Sequence, residues 1–373
     1  MFIMYIVIML IIVLAAGIYI FFRLRRLLRF YGADTNKKWI KAVNIILSVI
    51  PALLCMVLFS NTAIIILHIT AAFMLFDIIS YITSRIYGNR QKGGAADLLS
   101  KLCQGGILPV LAAFLVIGYG YYNMNHIKST EYIINTDKIT GSCRILFLSD
   151  IHYGTVQDTK VLKDKIYEIN SRKPDIVILG GDITDEGTSK EEMQEVFKML
   201  GGIENQQGIY YVYGNHDRQP YTSKRTYTDE ELVQAILQNG IIILEDSYIE
   251  IGQDLILAGR ADATMGRTSD RLPPGEILKE ADKDKYIIVA DHQPVEAAEN
   301  NKNNVMLELS GHTHGGQIWP AGLVSETAGV LNYGEYNEGN CKVIVSSGVA
   351  GWTYSMRTGK HCEYVVVDIK GKR

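Results

Sequence analysis

The sequence predicts an α/β domain with mixed sheets, preceded by an all-α bundle of four transmembrane helices. Long apolar runs dominate the chain to about Tyr122, and the remainder has the mixed polarity of a globular domain. In that remainder, strand and helix patterns alternate first, and several strands then follow in succession, which is typical of an α/β domain with mixed sheets. The length of 373 residues favours two or more units. The net charge of −3 gives no reason to expect nucleic-acid binding.

The first part of the chain contains four segments that can cross a hydrocarbon core of about 30 Å as helices. They are Phe2–Phe22, about Ala42–Phe59, about Ala63–Tyr81 and about Gly105–Tyr122. The positive charges follow the first segment instead of preceding it, so we interpret that segment as a retained anchor and not as a signal peptide.

The basic residues of this part predict its orientation. Lys and Arg are concentrated in two loops, from Arg23 to Lys41 and from Arg85 to Lys101, whereas the N-terminus and the other short loop have neither. By the positive-inside rule both basic loops are cytoplasmic, so the globular domain is predicted to be extracytoplasmic on a cell membrane. His68 and Asp77 lie within the third segment, where an ionisable group is a functional candidate. They support an alternative function, a membrane sensor or transporter in which the globular domain is regulatory.

The predicted organisation is a four-span transmembrane region at 1–125, a linker at 126–141 with a short strand at Glu131–Asn135, and a globular domain at 142–373. The chain has five cysteines without zinc-type CxxC spacing. Cys143, Cys341 and Cys362 lie in the globular part. A Cys341–Cys362 bridge and buried free thiols both remain open.

The globular part begins with alternating elements. Arg144–Ser149, Ile176–Leu179 and Ile209–Tyr213 have the continuous apolar character of buried strands. Between and after them, helices are predicted at Val156–Ser171, Ser189–Leu200 and Asp229–Gln238. Ser189 is the expected N-cap of the second helix, because Glu191 and Glu192 follow in its first turn.

Strands predominate in the rest of the chain. They are predicted at Ile241–Leu244, Tyr248–Ile251, Leu255–Ala258, Tyr286–Ala290, Val305–Leu309, Lys342–Ser346 and Glu363–Ile369. An irregular stretch is predicted from Trp319 to Asn340.

Five of the buried strands end in residues that can bind a metal ion. These residues are Asp150, His152, Asp182, Asn215, His292, His312 and His314. Ligands of open α/β sheets bind at the carboxyl ends of the strands, so we expect these side chains to converge. Seven nitrogen and oxygen donors exceed the needs of one ion and suit two ions that share a carboxylate. The mixture of imidazole, carboxylate and amide favours Mn²⁺, Fe²⁺ or Zn²⁺, with Mn²⁺ preferred.

Two such ions predict hydrolytic chemistry. A pair of metals binds the oxygens of a phosphoryl group and lowers the pKa of a bridging water, and the resulting hydroxide attacks phosphorus. The departing alkoxide then needs a proton. His216 follows Asn215 directly and is the candidate donor.

Taken together, Asp150-x-His152, Gly181-Asp182, Gly214-Asn215-His216-Asp217, His292 and Gly311-His312-Thr313-His314 resemble the motifs of the calcineurin-like metallophosphoesterase superfamily. The resemblance covers residues 142–370. The extension through Gly315-Gly316-Gln317 and the segment from Ser346 to Glu363 are similar to a bacterial, membrane-associated branch that includes the YkuE and YaeI types. This resemblance implies a four-layer αββα sandwich for 142–373.

The resemblance also implies roles for individual residues. Asp150, His152 and His314 would hold one metal, and Asn215, His292 and His312 the other, with Asp182 bridging. His216 would be catalytic, with Asp217 orienting it. Purple acid phosphatases have tyrosine three residues after the bridging aspartate, whereas this chain has Asp185 there. A tyrosinate–iron centre is therefore not expected.

The expected function is a membrane-anchored, dinuclear metal-dependent phosphoesterase that hydrolyses a phosphomonoester, phosphodiester or pyrophosphate bond. Attachment to the lipid bilayer favours an envelope or lipid-linked substrate. Two sets of residues near the site have open roles. Arg260, Arg267 and Arg357 are candidates for phosphate contact or for solvated positions, and Trp319, Tyr333 and Tyr336 are candidates for a cleft wall or for core packing.

Overall fold

The computed structural model describes residues 2–55, 57, 60–87, 94–263 and 271–372, with the side chains of residues 2–6, 8, 9, 87, 94 and 372 outside that description. The chain forms two compact units, Met1–Gly120 and Tyr121–Arg373.

The first unit is helical. Its elements are α1 (Phe2–Phe30), α2 (Lys38–Cys55), α3 (Asn61–Tyr87), α4 (Gly94–Gln104) and most of α5 (Ile107–Met124). Within the described residues, three stretches are long and apolar enough to cross a membrane: Lys38–Cys55, Asn61–Ile86 and Ile107–Met124. The first predicted span, Phe2–Phe22, lies inside α1. The side chains of residues 2–6, 8 and 9 are outside the described part of the structure, so the first of the four spans stays a prediction. Phe59, the predicted end of the second span, also lies outside the described residues.

The carboxylate of Asp77, an acidic residue within an apolar helix, is paired with basic side chains of the same unit. Its carboxylate lies 3.3 Å from Nε of Arg23, contacts Arg26, and accepts a hydrogen bond of 2.7 Å from the Tyr19 hydroxyl. Two arginines of α1 thus compensate the charge that the membrane would otherwise penalise. His68 contacts the carbonyl of Ile64 at 2.8 Å, within its own helix.

The second unit contains two six-stranded mixed sheets. The first has the order β1-β12-β2-β3-β4-β5 and the second β10-β11-β9-β8-β7-β6. In the first sheet the strands are β1 (Ile127–Thr140), β2 (Ser142–Leu148), β3 (Ile176–Leu179), β4 (Ile209–Tyr211), β5 (Ile241–Ile243) and β12 (Cys362–Lys372). In the second they are β6 (Ser247–Ile251), β7 (Leu255–Gly259), β8 (Tyr286–Ala290), β9 (Val305–Ser310), β10 (Gly334–Glu338) and β11 (Cys341–Val345).

The side chains of these strands alternate between two cores. In β2, Leu146 and Leu148 pack with α6 (Thr159–Ser171), α7 (Lys190–Gly201) and α8 (Asp229–Gln238), whereas Ile145 and Phe147 face the second sheet. The outer face of the second sheet packs against α9 (Pro274–Ile277) and α10 (Ala297–Lys302). Central strands such as β3, β7 and β8 are buried on both faces, and they accordingly have continuous apolar sequences. The layers therefore run helix, sheet, sheet, helix.

The predicted linker at 126–141 is largely a strand of the first sheet. The short strand expected at Glu131–Asn135 extends over the whole of β1 and pairs in parallel with β12, beginning with Ile127 opposite Cys362. The full length of β1 could not be predicted from its own residues. It forms because its backbone N–H and C=O groups pair with those of β12, which lies far away in sequence. Helices α4, α9, α10 and α11 (Ala321–Thr327) and strand β10 were likewise not predicted.

Two smaller predictions have clear outcomes. Ser189 caps α7, and its backbone amide donates to the carboxylate of Glu192, which completes a capping box. All five cysteines are free and buried, so the Cys341–Cys362 bridge is absent. Burial raises the pKa of the Cys341 thiol to about 12, which keeps it protonated and unreactive.

Candidate metal centre

Unusual backbone conformations mark the loops that follow β2, β3 and β9. Asp150, His152, Asp182, His312 and His314 have φ values of 53°, 42°, 51°, 70° and 51°. Such left-handed conformations cost L-residues on the order of 1–2 kcal/mol each, so they persist only where the surrounding structure enforces them. All five positions coincide with metal ligands predicted from the sequence.

Two glycines allow the backbone to pass directly against the carboxylates. A Cβ added to Gly311 would collide with Oδ2 of Asp150, and one added to Gly214 would collide with Oδ1 of Asp182. No larger residue fits at either place without displacing a predicted ligand. The glycines of the sequence motifs thus have a steric function.

The predicted ligands converge into two groups. Asp150, His152 and His314 form one group, and Asp182, His292 and His312 form the other; within each group the ligand atoms lie within 4.8 Å of one another. Oδ2 of Asp182 lies 3.1 Å from Nε2 of His292 and 3.7 Å from Nε2 of His152. One carboxylate oxygen therefore reaches both groups, as expected for a bridging ligand.

Three buried side-chain atoms that could bind a metal ion have no hydrogen-bond partner in the described residues. Nε2 of His152, Nε2 of His292 and Oδ1 of Asn215 are all buried in this condition. Nε2 of His292 lies close to Asp182, but not with the geometry of a hydrogen bond. Buried polar atoms are normally paired, and these three are all predicted ligand atoms. The residues present therefore fit a pair of metal ions.

Hydrogen bonds at the opposite ring nitrogens orient these histidines. Nδ1 of His292 contacts the carbonyl of Gly180 at 2.8 Å, and Nδ1 of His152 contacts Oδ2 of Asp185 at 3.0 Å. Contacts of this kind fix the ring orientation and the tautomer of a metal-binding histidine. Asp185, at the position where purple acid phosphatases have tyrosine, thus supports His152.

The electrostatics of the centre favour the metal-binding forms of two residues. Burial, reinforced by the charge of His292, lowers the pKa of His312 to about 4, so its imidazole is neutral. Burial acts to raise the pKa of Asp182, but His292 and His152 outweigh it and hold that pKa well below its usual range. Burial acts to lower the pKa of His292, but Asp182 outweighs it and raises that pKa well above its usual range, so His292 must release a proton to bind a metal. A neutral imidazole and an ionised carboxylate are the states that bind metal ions.

His216 is oriented by Glu186, not by Asp217 as predicted. Oε2 of Glu186 lies 2.6 Å from Nδ1 of His216, and the backbone amide of His216 donates to Oδ1 of Asp182 at 2.8 Å. Burial alone would lower the pKa of His216, but Glu186 and Asp182 raise it to about 8. Glu186 was missed because nothing in the segment Asp182–Glu186 distinguishes it from a solvated acid.

Asp217, predicted as the orienting partner of His216, contacts backbone amides instead of the imidazole. Its buried carboxylate accepts hydrogen bonds from the backbone amides of Asp182 and Ile183 at 2.8 Å, Thr184 at 3.0 Å and Gly214 at 2.7 Å. It therefore ties the loop after β3 to the loop after β4. This contact aligns Asp182 with Asn215 and His216 without touching the imidazole.

Two of the three arginine candidates, Arg260 and Arg357, have structural roles. Arg260 pairs with Glu296 at 2.7 Å and is 1% exposed, so it is not free for phosphate. Arg357 donates to the carbonyls of His314, Ser347, Ala350 and His361. It holds the loop at 346–361 against the loop at 311–317, which we call the histidine loop. Arg267 lies outside the described residues.

The three aromatic candidates divide between packing and exposure. The hydroxyl of Tyr333 donates to Glu363 at 3.1 Å, and that of Tyr336 accepts the amides of Asn332 and Tyr333. These contacts indicate packing, whereas Trp319 is 65% exposed.

Two other aromatic residues, which the sequence did not single out, flank His216. The ring of Tyr221 lies 5.0 Å from the imidazole and that of Trp352 lies 5.2 Å from it, both centroid to centroid.

Comparison with known proteins shows which family the chain is similar to. The model of the calcineurin-like phosphoesterase family matches residues 143–316. The chain is 31% identical over 276 residues to the Bacillus subtilis protein named uncharacterized metallophosphoesterase YkuE, covering 68% of this chain and 90% of that one. It is 29% identical over 250 residues to an uncharacterized metallophosphoesterase of Helicobacter pylori, with 65% of each chain covered.

One vertebrate relative is named as a transmembrane protein that contains a metallophosphoesterase domain. The chain is 26% identical over 280 residues to the transmembrane protein with metallophosphoesterase domain of Danio rerio, covering 71% of this chain and 62% of that one. With its apolar helices, the chain is thus similar to membrane-associated metallophosphoesterases. Its second unit carries a metallophosphoesterase domain, and the chain belongs to the calcineurin-like phosphoesterase family.

Proposed function

We propose that this protein is a membrane-anchored, dinuclear metal-dependent phosphoesterase that hydrolyses a phosphomonoester, phosphodiester or pyrophosphate bond. The observation that carries the proposal is the position of Asp182. Its Oδ2 atom lies between two groups of buried donors, within 3.1 Å of His292 and 3.7 Å of His152. Two neighbouring ions sharing a carboxylate are a recurring arrangement in phosphatases and nucleases.

Each group of ligands would hold one ion. Asp150, His152 and His314 would hold the first; Asn215, His292 and His312 would hold the second; and Asp182 would bridge them. Mn²⁺ is the favoured metal because the donors are imidazole, carboxylate and amide without thiolate. When bound, a metal pair polarises phosphoryl oxygens and supplies hydroxide at neutral pH.

The chain's own residues supply the remaining steps. His216 acts as the proton donor to the leaving oxygen. Glu186 faces Nδ1 of this imidazole, which fixes the direction of the ring and leaves Nε2 to face the substrate. The Tyr221 and Trp352 rings pack beside His216 and restrict its ring orientation. Asp217 keeps the loops of Asp182 and His216 in register.

The cellular context is part of the proposal. We propose four membrane-spanning helices and an extracytoplasmic catalytic domain, supported by the two basic loops and by the membrane-associated relative. This placement favours envelope or lipid-linked substrates. A reporter fused after Arg373 tests it: alkaline phosphatase should be active there and a fluorescent protein that folds only in the cytoplasm dark, and the reverse result would overturn the orientation.

The activity is tested with the full chain in detergent. Purified protein loaded with Mn²⁺ should hydrolyse p-nitrophenyl phosphate or bis(p-nitrophenyl) phosphate and retain two metal ions per chain by elemental analysis. The variant Asp182→Asn should lose both properties. Lys163→Gln, a surface variant in an ion pair with Glu195, is the matched control and should retain them. A metal-free, inactive wild-type protein would refute the proposal.

A further inference from the structure

An exposed apolar segment follows directly after the histidine loop. We call residues 319–324 the apolar segment; it includes the start of α11. Trp319, Leu323 and Val324 are 65%, 55% and 63% exposed. Three large apolar side chains are thus exposed within six residues, and concentrated apolar exposure of this kind marks contact surfaces.

Hydrogen bonds connect this segment to the end of α5, which belongs to the same unit. The amide of Trp319 donates to Oγ1 of Thr358 at 3.1 Å, and the amide of Gly359 donates to the carbonyl of Gln317 at 2.9 Å. From the last turn of α5, Nδ2 of Asn123 donates to the carbonyls of Arg357 at 2.9 Å and Lys360 at 3.1 Å, in the same strip. Residues 357–360 therefore contact both the apolar segment and the last turn of α5.

The last turn of α5 has the side chains expected of a helix end at a lipid–water boundary. Tyr121 and Tyr122 are 63% and 58% exposed, at the end of a helix that is long and apolar enough to span a membrane. Exposed tyrosines at the ends of such helices lie at the level of the lipid headgroups. The neighbouring Lys360 is exposed and adds a cation, which anionic headgroups attract. Tryptophan, the first residue of the apolar segment, favours the same level.

We propose that the apolar segment docks on the bilayer that α5 spans, and that the metal centre therefore receives phosphate esters carried by amphiphiles in that bilayer. The apolar segment begins five residues after His314, so docking brings the histidine loop to the membrane surface. A headgroup phosphate then reaches the metals while its acyl chains stay in lipid. The substrate half of this proposal rests on the proposed function, whereas the docking half does not.

Docking is measured by fluorescence quenching in the full chain. The protein is reconstituted in nanodiscs of phosphatidylcholine and phosphatidylglycerol, with or without bromine atoms on the acyl chains. In a Trp39→Phe, Trp352→Phe background only Trp319 remains. We expect brominated lipid to reduce its emission. Equal emission in both lipids would overturn the docking.

A second position controls for nonspecific quenching. Leu237 is also exposed, at 55%, but it lies on α8, which packs by β5 at the edge of the sheet opposite β1. Leu237→Trp, combined with Trp319→Phe in the same background, should show no quenching. Quenching equal to that of Trp319 would also overturn the proposal.

The substrate half is tested with two chromogenic diesters that differ only in chain length. Ethyl p-nitrophenyl phosphate is water-soluble, and hexadecyl p-nitrophenyl phosphate partitions into the nanodisc. We expect the wild type to have the higher kcat/KM for the hexadecyl ester. The variant Leu323→Asp, Val324→Asp should lose that preference and keep the wild-type rate on the ethyl ester, because neither residue is a predicted ligand.

The outcomes separate the two proposals. A preference that is absent in the wild type, or that persists in the double variant, overturns the amphiphile assignment. If the wild type cleaves neither ester, the proposed hydrolytic function fails, and the quenching of Trp319 still decides whether the apolar segment docks.

Discussion

Replacing Glu186 by Gln removes the negative charge that faces Nδ1 of His216 at 2.6 Å and keeps the length of the side chain. Glu186 is absent from the two groups of predicted metal ligands that meet at Asp182. The substitution therefore tests the orientation of the proton donor and leaves the donor atoms of the metals in place.

The expected loss follows from the strength of this contact. A hydrogen bond to a charged group contributes about 1.5–3 kcal/mol. Since about 1.36 kcal/mol corresponds to a factor of ten in rate, kcat should fall by roughly 10- to 100-fold. The loss should be larger for poor leaving groups, because they depend most on protonation.

The assay compares phenyl phosphate with p-nitrophenyl phosphate, whose leaving group needs little protonation. Glu186→Gln should slow the phenyl ester far more than the p-nitrophenyl ester, with unchanged metal content by elemental analysis. Glu195→Gln, which removes an exposed carboxylate of the Lys163 ion pair, is the matched control and should behave as the wild type. Equal losses on both esters, or no loss, would refute the assignment of Glu186.

Three other substitutions test the fold around the site. Asp217→Ala leaves several buried amides without an acceptor, so it should destabilise the second unit by about 3 kcal/mol or more, seen as a lower Tm; a selective kcat loss at unchanged Tm would contradict its structural role. Gly311→Ala places a Cβ against Oδ2 of Asp150 and should reduce bound metal, whereas Gly118→Ala, where the added Cβ meets open space, should leave the metal content unchanged. Burial and the charge of Asp291 raise the pKa of Glu308 from 4.5 to about 7. The native state therefore binds this proton more tightly than the unfolded state, and stability falls as the pH rises through that window. Glu308→Gln should remove this dependence, so its Tm advantage over the wild type should grow between about pH 5 and pH 8; a constant difference would contradict it.

The proposed metal ligands can be predicted from the sequence because each of them follows a buried strand. Apolar runs predict the strands, and parallel strands bring their carboxyl ends to one edge of the domain. Asp150, Asp182 and His292 can therefore be grouped from the sequence alone. The glycines next to them are a local requirement of the backbone, so they too are visible in sequence.

Other features depend on contacts between distant parts of the chain. The pairing of β1 with β12 joins residues separated by more than two hundred positions. The choice between Glu186 and Asp217 as the partner of His216 is a matter of side-chain direction, because both acids are near it and only one faces Nδ1. The sequence by itself determined which donor atoms are available and that they meet. Only the tertiary structure decided which acid faces which group, because that depends on how the loops pack against one another.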